Sequence, residues 1–271
     1  MRASLAPSVS LAAVAALCVG ISACSAIFPE VGTPLRTTPA GKAMVPPPPQ
    51  DLVYVEFKGG SAPTMTRDGR PWQELGNKLP DPYAILFVNG KELIKTNRES
   101  NTLSPTWPGS PRGNFRFEPT DRIRVEMWES GLVAKPMCVK DFGTIDPEWT
   151  SAKELVASCE GGAKLTLAWE PARGQWGYGF HYEFRTVSVA VTRVFAESPA
   201  ARAGMKTGDL LAVIDGRDAS QMRPGDVQGA FNASRLTPLQ VTLRRGGQDV
   251  PVELREGPVY PLFTETVVVA Q

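Results

Sequence analysis

The chain has 271 residues, 42% of them hydrophobic, with 29 basic against 28 acidic residues and a formal net charge of +1. That balance supplies no one-signed field for nucleic acid or acidic partners, so no nucleic-acid partner is expected. A single histidine, His181, and four cysteines leave little material for a histidine-based triad or a zinc site.

From the N-terminus, Met1-Arg2 precedes Leu11–Gly20, a mostly apolar run too short to span a bilayer. Ile21-Ser22-Ala23-Cys24 follows, an apolar residue, two small ones and a cysteine. This order resembles a bacterial lipobox. The resemblance implies a signal peptide over 1–23, cleavage before Cys24 and a lipid on that sulfur as the membrane anchor. An ordinary signal peptide with an incidental cysteine is the alternative. Ser25 in place of Asp, by similarity to Gram-negative lipoproteins, points to the outer membrane, with the body in the periplasm. Residues 24–50 then read as the lipidated cysteine and a Pro-rich linker ending in Pro46–Pro49, a semi-rigid spacer of about 3 Å per residue.

Residues 51–170 carry period-two apolar runs at Leu52–Phe57, Arg122–Trp128 and Lys164–Trp169, with a continuous run at Tyr83–Val88. Asp68-Gly69 and Asn89-Gly90 are turn signals. Only Ser151–Ser158 reads as helix. The class is mainly β, an antiparallel sandwich. With Cys18 lost in the signal and Cys24 lipidated, Cys138 and Cys159 read as a disulfide in an oxidising compartment, two buried thiols being the alternative.

Asp81-Pro82-Tyr83 opens a strand that continues AILFVNGKELIKT, and Asn101–Trp107 and IRVEMWE follow in order. This sequence of motifs resembles the C2 domain family, over about Leu52 to Trp169. The resemblance implies a C2-like β-sandwich with calcium as its one candidate cofactor, none being required. Carried over by motif, Asp68, Asp81 and Glu129 are the weak calcium candidates; Glu129 stands where the family has Asp, and Gly131 where it has a second acid. The alternative is a structural sandwich in which Asp68 and Asp81 cap turns. Trp72 and Leu132 are candidate apolar tips for lipid contact.

After a boundary at Pro171–Gly174, residues 175–256 read as a second domain, with 257–271 a tail whose Val267–Ala270 suits an edge strand. Strands are expected near Phe180–Phe184, Val187–Phe195 and Asp209–Ile214, and a hairpin over Leu239–Leu254 turns at Gly246-Gly247. A helix is expected near Gly225–Ser234. Ser198 to Gly216 reads SPAARAGMKTGDLLAVIDG: Ser198 suits a helix cap, Pro199 the first helical position and Gly204 the stop. Ahead of it stands Gly177-Tyr178-Gly179-Phe180. Together these resemble a bacterial PDZ domain, the module that binds peptide ends, and imply a PDZ-like α/β partly open barrel.

The resemblance makes Gly177, Tyr178, Gly179 and Phe180 a carboxylate-binding loop, because glycines let successive N–H groups converge into an anion nest. A peptide then adds along Phe180, His181 and Tyr182 as an extra strand. Val227 and Phe231, four apart on one helix face, form the apolar wall; core packing is the alternative for both. His181 either touches the ligand or is a half-exposed surface histidine. This reading needs a slot that the chain leaves open to outsiders.

No nucleophile elbow, phosphate loop, HExxH or dinucleotide fingerprint occurs, so no enzyme is expected. The functional expectation is a non-catalytic, lipid-anchored envelope adaptor that binds C-termini or extended segments of envelope proteins. The alternatives are a calcium- or lipid-dependent membrane-contact protein acting through the C2-like part, and a component of secretion machinery.

Overall fold

The computed structural model describes residues 29–37, 46–73, 79–131, 133–146, 148–233, 235 and 237–263. Cys24 and the signal region, Leu132 and Val267–Ala270 lie outside the described residues. The described fold is mainly β, with antiparallel sheets and no closed barrel. A short strand, β1 (Glu30–Gly32), precedes two structural units.

The first unit is a sandwich of two four-stranded sheets. Its strands are β2 (Leu52–Ser61), β3 (Pro82–Val88), β4 (Lys91–Lys95), β5 (Gly113–Arg116), β6 (Arg122–Glu129), β7 (Lys135–Thr144), β8 (Lys153–Ser158) and β9 (Lys164–Pro171). One sheet runs β5-β2-β9-β8 and the other β4-β3-β6-β7. Side chains alternate across each strand, so Val53, Val55 and Phe57 of β2 meet Leu86, Val125 and Met127 from the opposite sheet in one core. Outside, the Arg173 guanidinium lies 3.6 Å from the Tyr54 ring centroid, a cation–π contact that covers β2.

The expected helix over 151–158 is corrected. Helix is confined to α1 (Trp149–Ala152), and Lys153–Ser158 is strand β8, paired to β9 from Lys153 opposite Trp169 to Ser158 opposite Lys164. Leu155 and Ala157 are buried while Glu154, Val156 and Ser158 are exposed. Pairing and a half-buried face override the helix-forming composition.

Cys138 on β7 and Cys159 just beyond β8 form a disulfide, 21 residues apart in sequence, which ties the edge strands of the two sheets. Reduction, or Cys138→Ser with Cys159→Ser, is expected to lower the unfolding free energy by about 3 kcal/mol, the loop-closure contribution for a ring of this size. The denaturation midpoint with and without reductant checks this; equal midpoints overturn a stabilising role.

The second unit holds β10 (Gln175–Gly177), β11 (Phe180–Arg185), β12 (Ser188–Val194), α2 (Pro199–Arg202), β13 (Leu210–Ile214), β14 (Arg217–Asp218), α3 (Pro224–Asn232), β15 (Leu239–Arg245), β16 (Gln248–Leu254) and β17 (Gly257–Val259). Its main sheet is ordered β1-β11-β12-β13-β15-β16, with β14 on β13. Ser198 caps α2, its hydroxyl accepting from the Ala201 N–H, with Pro199 at the first helical position as the sequence predicts. Asp209, 2% exposed, accepts two 2.7 Å bonds from the Arg245 guanidinium and one from the Lys206 N–H. Burial pushes this carboxyl up, but the three donors outweigh it and hold it below the usual carboxylate range.

The described part of 257–271 is not a loose tail. β17 pairs with β10, Leu262 bridges to Asn114 of β5, and Phe263 packs on the sandwich core. The Asn114 amide donates to the carbonyls of Arg173 and Pro261, so one buried side chain fastens the junction to the segment after β17.

Candidate functional site

The Gly177–Phe180 loop sits where the sequence places it, between β10 and β11, facing α2. Gly179 has φ +79°, and a Cβ there would lie 2.5 Å from Ser198 Cβ and 3.0 Å from Val259 Cγ2. Only glycine fits that turn against the α2 cap. The Tyr178 carbonyl accepts from the Ala200 N–H and the Gly179 carbonyl from the Phe195 N–H, which fixes the loop on the segment leading into α2.

The other site residues lie deeper than a groove lining requires. Tyr178, Phe180, Tyr182, Val227 and Phe231 are each 1% exposed or less. The Phe231 ring stands 5.2 Å from Phe180, 5.5 Å from Tyr182 and 6.2 Å from Tyr178, centroid to centroid. Burial pushes the Tyr182 phenol up to about 12 and raises that of Tyr178, the Glu256 carboxylate adding to the second effect. Val227 and Phe231 therefore take the alternative reading, as core side chains that carry α3.

The slot itself is not open. β1 lies antiparallel along the edge of β11, with Glu30 opposite Glu183, Val31 opposite Tyr182 and Gly32 opposite His181. Residues 30–36, which the sequence alone assigns to a spacer, dock on the second unit. An adaptor with a standing empty groove is excluded by this arrangement. His181 is half-buried; its Nδ1 lies 2.7 Å from Glu30 Oε1, and its ring meets Phe195 edge-on at 5.3 Å. Its observed partner is thus the chain's own Glu30. Sequence reasoning misses Glu30–Arg36 because three strand residues flanked by Pro29 and Pro34 carry no periodicity.

The calcium candidates only partly converge. Glu129 is 0% exposed; one oxygen accepts from the Gln73 side-chain amide and the other from the Asp81 N–H. Desolvation raises its pKa despite those donors. Asp81 accepts from the Asn101 N–H, and Asp68 stands exposed on the turn after Thr66. No group of three or more potential metal-ligating side chains occurs among the described residues, whereas a calcium ion takes six to eight oxygens. Trp72, a candidate lipid-contact tip, is instead 6% exposed and donates to the Pro63 carbonyl.

No family model and no curated protein matches this chain. Among solved structures it is similar to one described as a C2 domain, at 13% identity and a TM-score of 0.34, covering 45% of this chain and 97% of that one. It is also similar to the two tandem C2 domains of extended synaptotagmin 2, at 11% identity and a TM-score of 0.34, covering 85% and 86%. A third is the HtrA3 PDZ domain bound to a phage-derived ligand, FGRWV, at 26% identity and a TM-score of 0.23, covering 27% and 67%.

Proposed function

We propose that this chain is a non-catalytic envelope lipoprotein, anchored through Cys24, whose second unit captures extended peptide segments of other envelope proteins by strand addition on β11. A single observation carries the reading. The β11 edge already accepts a strand, antiparallel and in register, with an apolar side chain (Val31) against the core cluster. An edge that takes one extended segment offers the same backbone ladder and apolar step to another. Affinity is modest, because a short added strand buries little area and must displace the resident one.

The test is a display library of free C-termini and internal segments screened against the full chain, with binding mapped by hydrogen exchange. Enriched peptides are expected to alter amide protection along Phe180–Arg185. Enriched peptides that leave this strand unchanged and act on the sandwich loops instead would favour the lipid- or calcium-contact alternative. No enrichment of either class sinks the reading.

A further inference from the structure

We infer that residues 30–36 are a resident pseudo-ligand, and that the groove takes internal extended segments of the same chemistry rather than free chain ends. The inference rests on the peptide-capture reading and specifies its ligand and its regulation.

Consecutive contacts define the seat. Glu30 reaches the His181 ring, and Val31 packs on the core cluster beside Tyr182. Gly32 passes so close to His181 that a Cβ would lie 2.9 Å from Nε2. The Thr33 N–H and hydroxyl both donate to the Phe180 carbonyl, at 3.1 and 3.2 Å. Pro34 and Leu35 then cross the first glycine of the loop: a Cβ on Gly177 would lie 2.7 Å from the Pro34 carbonyl and 2.8 Å from Leu35 Cδ2. Arg36 exchanges two backbone bonds with Trp176, at 2.8 and 2.7 Å. Its guanidinium pairs with the Glu256 carboxylate and donates to the Asn232 carbonyl at the end of α3.

Two features make this a ligand seat and not incidental packing. The segment runs toward the glycine loop, the direction in which an added strand carries a chain end there, yet it continues past the loop without ending. The seat therefore accepts a chain that has no carboxylate at that point. Glu256 is the second feature: its side chain is only 7% exposed, and its Oε2 has no hydrogen-bond partner. A buried carboxylate demands a cation, and Arg36 supplies it. The matching partner is an extended internal segment with an apolar residue, a glycine next to it, and a basic residue four positions after the glycine.

Occupancy from the same chain is also regulation. A tethered segment acts at an effective concentration on the order of millimolar, so an outside peptide binds only as far as it outcompetes that. The probe is a peptide of residues 29–37, made with a blocked C-terminus and with a free one. The proteins are the full chain and the full chain bearing Val31→Asp with Arg36→Glu, which removes the apolar step and reverses the charge facing Glu256. Amide exchange along Phe180–Arg185 is expected to rise in the variant. The blocked peptide is expected to bind the variant about tenfold or more tightly than the parent, and the free form to match it. Equal binding to both proteins overturns self-occlusion and leaves peptide capture standing. Binding of the free form alone overturns the internal-segment assignment and leaves a chain-end binder. Unchanged exchange in the variant overturns the assigned seat, and exposed β11 amides with neither peptide bound overturn capture itself.

Discussion

Gly179→Val is expected to abolish the cooperative unfolding of the second unit while the sandwich keeps its own transition. The residue sits at φ +79°, where a β-branched side chain is a steric outlier, and its Cβ would fall 2.5 Å from Ser198 Cβ. Ser198 cannot yield. It is 0% exposed, its hydroxyl caps α2 and its N–H donates to the Phe195 carbonyl, so the clash has to move backbone. Together these terms cost more than about 4 kcal/mol, a large share of the stability of a unit this size. Two spectroscopic signals separate the units. Five of the six tryptophans, Trp72, Trp107, Trp128, Trp149 and Trp169, lie in the sandwich and dominate the fluorescence, Trp176 being the one in the second unit, whereas far-ultraviolet circular dichroism reports on both units together. A variant with two parental transitions would falsify the close approach of loop and cap. Substitution here tests the fold and gives no information on ligand choice.

Phe231→Ala is expected to cost about 4 kcal/mol of second-unit stability, the usual range for deleting a buried phenyl ring. The ring is 1% exposed and touches three aromatic rings from the loop and β11. The space it leaves has no mobile neighbour to fill it, since Tyr178, Phe180 and Tyr182 are held by backbone pairing and by one another. Phe231→Leu restores most of the volume and recovers much of the loss. Chemical denaturation of the parent and both variants checks the order. A wall residue facing an open slot would behave otherwise, losing peptide binding with the denaturation midpoint intact. That outcome would return Phe231 to the groove.

These two positions show how far residue identity reaches. The pattern of glycine, apolar residue, glycine and phenylalanine ahead of a capped Pro-Ala-Ala turn is local, and its conformational demands are met within a few residues. Loop, cap and the strand after them are therefore legible. So is the Cys138–Cys159 bridge, the pair left once the lipobox resemblance assigns Cys18 and Cys24 to the signal and anchor. Composition assigns Ser151–Ser158 to a helix, and only the unpaired edge of β9 decides for strand. The C2 resemblance leaves Glu129 a weak calcium candidate; its carboxylate accepts from the Asp81 N–H and the Gln73 amide, partners that spacing along the chain does not reveal.

What the sequence determined unaided is the order of two β units, the tight glycine turn with its helix cap, and the alternation that builds the sandwich core. All of these follow from neighbours a few residues apart, where sterics and side-chain period act directly. The tertiary structure alone decided who occupies the edge of β11. Val31 meets Tyr182 and Arg36 meets Glu256 across most of the chain, and pairings at such separation leave no periodic trace. They form because an unpaired strand edge and a buried carboxylate each need a partner, and folding brings a segment that serves both within reach.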